Sequence, residues 1–203
     1  MFIYNLKRIL KSMSHAIYQT PAIILKTKNM RESNKLVVLY TERFGLIYTT
    51  MQSIRELKSK MKYHTNTLSL VTVDVVRGRD IWRITGIHED ISSLSFVENE
   101  FYTFIHRIAV LLLRMSQGEE SHREIWNDLH SLYKNIDTID SQNYEAVEII
   151  TIARMLYFLG YWDGTQSCIT SHTIFNNELF DEVIKNKLEY IKLINQGIID
   201  SQL

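Results

Sequence analysis

Hydrophobic spacing changes period once along this chain, near residue 90, and that change limits the fold more than any other feature. Before it, apolar stretches are short, β-branched and separated by turn-like residues, which predicts strands over 17–26, 35–41, 46–53, 67–77 and 81–88. In the fourth, Ser69, Val71, Val73 and Val75 share one face, and Leu68, Leu70, Thr72 and Asp74 share the other. Both faces are partly apolar, so this strand is expected to be central and curved rather than an exposed edge. Arg77-Gly78-Arg79-Asp80 makes the next tight connection, with Gly78 expected at positive φ, and residues 42–45 make a similar turn. Five strands in so short a stretch predict a small closed barrel.

Past residue 90 the spacing becomes helical. Residues 97–115 carry Phe101, Phe104, Ile105, Ile108 and Leu112 at helical spacing, and the second half is apolar nearly all round. Such a helix is expected at the centre of a bundle. Residues 119–133 form a more amphipathic helix with Ile125, Leu129, Leu132 and Tyr133 inward, and 144–159 form another buried one capped by Gly160. A single last helix is predicted over 180–194, and no proline after Pro21 interrupts any of them. The expected fold class is therefore α+β with two domains: a five-stranded OB-fold β-barrel over 15–90, then an all-α helical bundle over 96–203. The boundary falls in 90–95, and residues 1–14 read as a leader that could be flexible, with Met13 an alternative start.

Charge divides at the same place. The formal net charge is zero, yet residues 1–88 hold fifteen Lys/Arg against five Asp/Glu, and 89–203 hold eight against eighteen. A basic half seeks a polyanion, most commonly nucleic acid. The acidic half cannot share that task over most of its surface.

Several classes are excluded. The single cysteine, Cys168, allows no intrachain disulfide framework and no Cys-rich zinc site, which points to a reducing, cytoplasmic setting. The longest apolar run, 108–113, is too short to span a membrane, and Lys7, Arg8 and Lys11 break any export signal. There is no HExxH, no glycine-rich phosphate loop and no GxSxG elbow. His122 and His130 share a helix face but stand about 12 Å apart along it, so surface roles suffice. No catalytic centre, metal or cofactor is implied, and the chain does not read as an enzyme.

The basic residues fall in sets. Lys26, Lys28, Arg31 and Lys35 surround the first inter-strand loop; Arg55, Lys58, Lys60 and Lys62 populate the connection between strands three and four; Arg77, Arg79 and Arg83 mark the fourth hairpin. Converging at one end of a barrel, they would line one positive groove. Tyr48, Tyr63 and Trp82 are interleaved with them as candidate base-stacking rings. The competing reading is a solvated basic surface with those aromatics in the barrel core. In the helical half, Arg107, Arg114 and Arg154 sit within apolar helices. Either they pair with nearby carboxylates, or they guard a groove that docks an acidic, apolar-tipped peptide.

Several runs resemble the bacterial RecO family of recombination mediators. They begin with Tyr18-Gln19-Thr20, Ala22-Ile23-Ile24-Leu25-Lys26-Thr27 and Arg31-Glu32-Ser33-Asn34-Lys35-Leu36. Leu39-Tyr40-Thr41, Gly45-Leu46-Ile47, Lys58-Ser59-Lys60, Arg77-Gly78-Arg79, Trp82 and Thr85 continue them, and Leu159-Gly160-Tyr161 leading to Cys168 extends the likeness. The resemblance implies a DNA-binding barrel, annealing of complementary strands, and recombinase loading in DNA repair after DNA damage. It implies single- and double-stranded DNA, RecR and the C-terminal tail of single-strand-binding protein as partners, in a bacterial, nucleoid-associated setting without a membrane. By position it makes Arg31, Lys35, Arg77 and Arg79 DNA contacts. Two departures stand out: many members carry four cysteines for zinc where this chain keeps Cys168, and Ser53-Ile54-Arg55 replaces a usual Gly-Ala-Arg. Two other functions stay open: an OB-fold RNA-binding module, and an adaptor whose charged halves self-associate.

Overall fold

The computed structural model describes residues 16–30, 34–52, 65–96, 100–116, 118–135, 137–162, 169 and 175–201. The leader 1–14, Arg31, Arg55, Lys58, Lys60, Lys62, Tyr63 and Cys168 lie outside the described residues.

The first half forms β1 (Ile17–Asn29), β2 (Lys35–Thr41), β3 (Gly45–Met51), β4 (Leu70–Arg77) and β5 (Trp82–Ile91). They close into a barrel of order β1-β2-β3-β5-β4. Closure depends on β1, which pairs with β4 through residues 17–23 and with β2 through residues 22–29. A short parallel pairing, Thr49 with Trp82 and Thr50 with Arg83, joins β3 to β5. Every other pairing is antiparallel.

Strand alternation sorts the side chains into two cores. Ala22, Ile24, Val37, Leu39, Ile47, Met51, Val71, Val73, Val75 and Ile84 fill the barrel. Their neighbours Ile23, Leu25, Val38, Tyr40, Leu46 and Leu70 point outward and are buried beneath helices. The β-branched face foreseen for the fourth strand is thus the barrel interior, and its Leu70 serves the second core. Each such side chain contributes about 1.5–3 kcal/mol by burial.

The helices are α1 (Glu100–Met115), α2 (Arg123–Lys134), α3 (Tyr144–Phe158), α4 (Asn177–Lys185) and α5 (Lys187–Asp200). α3, not α1, occupies the bundle centre: it buries residues all round, including Val147, Ile150, Ala153 and Leu156, and touches the other four α-helices given above among the described residues. α1 instead lies between α3 and the barrel, with one face open at Val110. Its all-round apolarity is divided between two partners rather than enclosed by one.

Gly160 at φ +78° ends α3 as the spacing foresaw; Tyr161 N–H reaches the Leu156 carbonyl at 2.8 Å and Gly160 N–H the Tyr157 carbonyl at 3.0 Å. The single last helix is in fact two. Asn186 sits outside helical geometry, and its side-chain amide donates to the Glu182 carbonyl at 3.2 Å, so an asparagine performs the break that glycine or proline usually signals.

Barrel and bundle meet along a tight seam. Tyr133 of α2 donates to the Leu68 carbonyl at 2.7 Å, and Leu68 is fully buried at φ +68°, a conformation rare for leucine. At the opposite mouth Gly45, at φ +63°, lies so close to residue 120 that an added Cβ would stand 1.9 Å from the Glu120 carbonyl oxygen. Gly78 does not take the positive φ expected of it. Its requirement is space, since a Cβ there would stand 2.3 Å from the Ile81 carbonyl oxygen.

Candidate nucleic-acid interface

A bulge decides which way the lysines of β1 face. Plain alternation from Ile24, which is inside the barrel, would turn Lys26 and Lys28 inward as well. The register slips between Ile24 and Lys26, so that Ile24 opposes Leu39 but Lys26 opposes Val38, and Lys28 opposes Leu36. Both lysines consequently join the outer face. Val38 in turn opposes Tyr48, which places Lys26, Val38 and Tyr48 in one row across three strands. The next row runs Lys28, Leu36, Thr50 and, across the parallel pair, Arg83. Neighbouring side chains in such rows stand about 5 Å apart.

These rows floor an open groove of about 390 Å³ lined by Lys26, Lys28, Leu36, Val38, Tyr48 and, from α1, Leu113. The floor is apolar, both lysines are exposed, and Tyr48 is 50% exposed. A ring with an open face beside ammonium groups is the chemistry that holds an unpaired base next to its phosphate. A larger open cavity of about 480 Å³, beside Ser131, Asn135, Asp140, Phe175 and Phe180, has no cationic lining residue and does not suit a polyanion.

The remaining basic residues are distributed differently from the single mouth expected. Successive strands alternate in direction, so their connections alternate between barrel ends. The first loop and the connection from β3 to β4 share one mouth; the β4–β5 hairpin, with Arg77 and Arg79, leaves from the other. What spans the two mouths is the outer face of β1, β2, β3 and β5. Arg83, part of the hairpin set in the sequence, becomes a member of that face; Leu113 had no sequence signal at all.

Lys35 is half-buried, donating to Thr65 Oγ1 at 2.6 Å and to the Thr65 carbonyl at 3.3 Å. Burial pushes its ammonium below the usual lysine value. It ties two connections together as well as adding charge. At the other mouth Tyr18, Phe44 and Trp82 plug the barrel, with ring centroids 4.7–5.9 Å apart. Trp82 is 3% exposed, which corrects its candidacy as a stacking ring: its place is the barrel core. Its indole N–H donates to Glu119 Oε1 at 2.8 Å, while Arg77 lies over its ring at 5.5 Å and pairs with Glu119 Oε2 at 3.3 Å. Arg79 is exposed on the hairpin.

Of the three arginines considered as guards of a peptide groove, two are structural. Arg154 is 3% exposed; it donates to the Ile169 carbonyl at 2.6 Å and to Asp128 Oδ1 at 3.3 Å, under Phe175. Arg107 forks onto both carboxylate oxygens of Glu148, a pairing that raises its already high pKa. Arg114 is exposed at the end of α1, one residue from the groove wall. Among the described residues no cluster of three or more His, Cys, Asp or Glu is arranged for a metal, and no helix is long and apolar enough to cross a membrane.

Fold and site together define a class: a small closed β-barrel with a cationic, tyrosine-bearing outer face, clasped by a helical bundle. The family model described as Recombination protein O N terminal matches residues 13–88. The DNA repair protein RecO of Clostridium novyi (strain NT) is 30% identical over 170 residues, covering 78% of this chain and 62% of that protein. Its counterpart in Chlorobium limicola is 24% identical over 158 residues (76% and 60%), and that of Clostridium kluyveri 30% over 143 residues (68% and 52%). Over most of its length the chain is similar to proteins of the RecO family, and residues 13–88 carry the match to that family's N-terminal model. It spans between 52% and 62% of the length of these three relatives. Among solved structures, an Entamoeba histolytica asparaginyl-tRNA synthetase is similar at a TM-score of 0.34 and 7% identity, covering 75% of this chain and 33% of that one, too remote to define a shared fold.

Proposed function

We propose that this chain is a non-enzymatic DNA repair and recombination protein that holds single-stranded DNA along the outer face of β1, β2 and β3. The observation that carries the reading is the row Lys26, Val38, Tyr48 with Lys28 and Arg83 in the row beside it. We read the barrel as of OB type, whose order and basic, aromatic face suit strand binding without sequence readout. On this reading 15–90 is the DNA-binding unit and 96–203 a docking unit, with Arg31, Lys35, Arg55, Lys58, Lys60, Lys62, Arg77 and Arg79 extending the phosphate track to both mouths. Two strands laid on one basic surface repel each other less while their bases stay free to pair, which promotes annealing of single strands and accommodates duplex product. RecR and the acidic tail of single-strand-binding protein are the partners proposed for the helical unit, with recombinase loading as the outcome.

The test is anisotropy of labelled thirty-mers of DNA and RNA across a salt series, with an annealing assay alongside. Neutralising about six phosphates gives a log–log salt slope near −4. Tyr48→Ala is expected to cost about 1–3 kcal/mol, one base stack, with the slope unchanged. Lys26→Glu with Lys28→Glu is expected to lower both affinity and slope. Folded variants that bind as tightly as the parent would move the site elsewhere, and a preference for RNA would favour the RNA-binding module.

A further inference from the structure

We propose that Arg77 and the indole N–H of Trp82 form a phosphodiester subsite which Glu119 fills from the helical half, as an internal substitute for a backbone phosphate. This rests on the DNA-binding reading above and specifies how one part of that site is regulated. The geometry is that of an occupied anion site. One carboxylate oxygen accepts from Trp82 Nε1 at 2.8 Å, and the other faces an Arg77 guanidinium nitrogen at 3.3 Å. Two oxygens on one carbon, each answered by a different donor, match the two non-bridging oxygens of a phosphodiester. The donors are prearranged: Arg77 and Trp82 are cross-strand partners in the β4–β5 register, and the guanidinium stacks over the indole at 5.5 Å.

Glu119 arrives there because its segment is docked on the barrel from two sides. Ser121 Oγ donates to the Glu42 carbonyl at 2.6 Å, and the Glu120 carbonyl packs on Gly45, where there is room for no side chain. The pair is accessible for exchange, since the Arg77 side chain is 69% exposed and that of Glu119 39%. A phosphate in high local concentration along a bound strand can therefore displace the carboxylate. The strand must compete with the protein's own acidic half at this mouth, whereas the groove beside Lys26 and Lys28 has no acidic residue in its lining. Contact would begin on the groove and reach the hairpin last.

Glu119→Gln is the informative change, because the amide oxygen still accepts from Trp82 while the charge facing Arg77 is lost. Binding of a labelled single-stranded thirty-mer would be measured across salt for the parent, E119Q, R77Q and the E119Q/R77Q double variant. E119Q is expected to tighten binding about two- to five-fold, the size of an exposed ion pair, and to steepen the log–log slope by about 0.7, one phosphate contact. R77Q in the E119Q background is expected to abolish that gain. The Trp82 indole N–H resonance, assigned by its loss in W82F, is expected to shift when DNA is added to the parent. If the parent binds DNA but E119Q binds identically and the indole resonance stays in place, the subsite is wrong and the groove reading survives. If neither parent nor E119Q binds at low salt, both are overturned.

Discussion

Gly45→Ala tests the seam between barrel and bundle, and its cost can be worked out from two separate terms. The first is backbone: φ at Gly45 is +63°, and an L-residue there costs about 1–2 kcal/mol. The second is steric. The new methyl would stand 1.9 Å from the Glu120 carbonyl oxygen and 2.6 Å from its carbon, so the segment must retreat by more than 1 Å. Retreat breaks the 2.6 Å bond from Ser121 to the Glu42 carbonyl, about 1 kcal/mol, and draws Glu119 off Trp82, leaving a buried indole N–H unpaired for about 1–3 kcal/mol. The sum is about 3–6 kcal/mol, a loss of roughly 6–24 °C in Tm for a chain of this size. Gly118→Ala is the control: φ is +72° but an added Cβ meets nothing within 4 Å, so only the backbone term applies. Thermal and urea unfolding of both variants separate the terms. If G45A costs no more than G118A, the 118–122 segment does not sit against the β2–β3 turn, and the Glu119 clasp falls with it.

Three further outcomes follow from buried polar groups. Tyr133→Phe removes the hydroxyl that reaches Leu68 and strands its carbonyl, costing about 1–2 kcal/mol in urea unfolding; a neutral result would mean that the left-handed Leu68 needs no support from α2. Arg154→Met breaks the pair with Asp128 and the bond to the Ile169 carbonyl, and is expected to cost about 2–4 kcal/mol without changing DNA affinity, whereas a binding defect at equal stability would restore Arg154 as a docking residue. Burial, with Lys134 adding to it, holds the His130 pKa below its ordinary 6.5 despite Glu42 and Asp90. The unfolded chain therefore binds the proton more readily, so stability is lost as pH falls below about 6.5 and is unaffected above it; His130→Gln should flatten a Tm profile taken from about pH 8 to about pH 5, and a parent profile already flat there would contradict the burial.

Much of the fold was legible because hydrophobic period is a local property. Val71, Val73 and Val75 declare a strand buried on one face, and Ile125, Leu129 and Leu132 a helix stripe, whatever surrounds them. The α4–α5 break was not legible, since asparagine at 186 stops a helix only when its side chain finds the carbonyl four residues back. Nor was the order of burial among the helices. α1 and α3 are both strongly apolar, and only packing decides that α1 spends one face on a barrel.

Composition and hydrophobic period were enough for the two halves, the five strands, and the opposition of a basic barrel to an acidic bundle, because neither property needs a partner. The tertiary structure alone decided which charges act together. A one-residue bulge at Leu25 turns Lys26 and Lys28 from the barrel interior to its outer face, beside Tyr48. Alternating strand directions send the basic connections to opposite mouths. Closure sinks Trp82 into the core and hands its N–H, with Arg77, to a carboxylate 37 residues further along the chain. Closure and the Glu119 contact are long-range, bringing Ile17 against Val76 and Trp82 against Glu119, and no short window of sequence contains both partners of either.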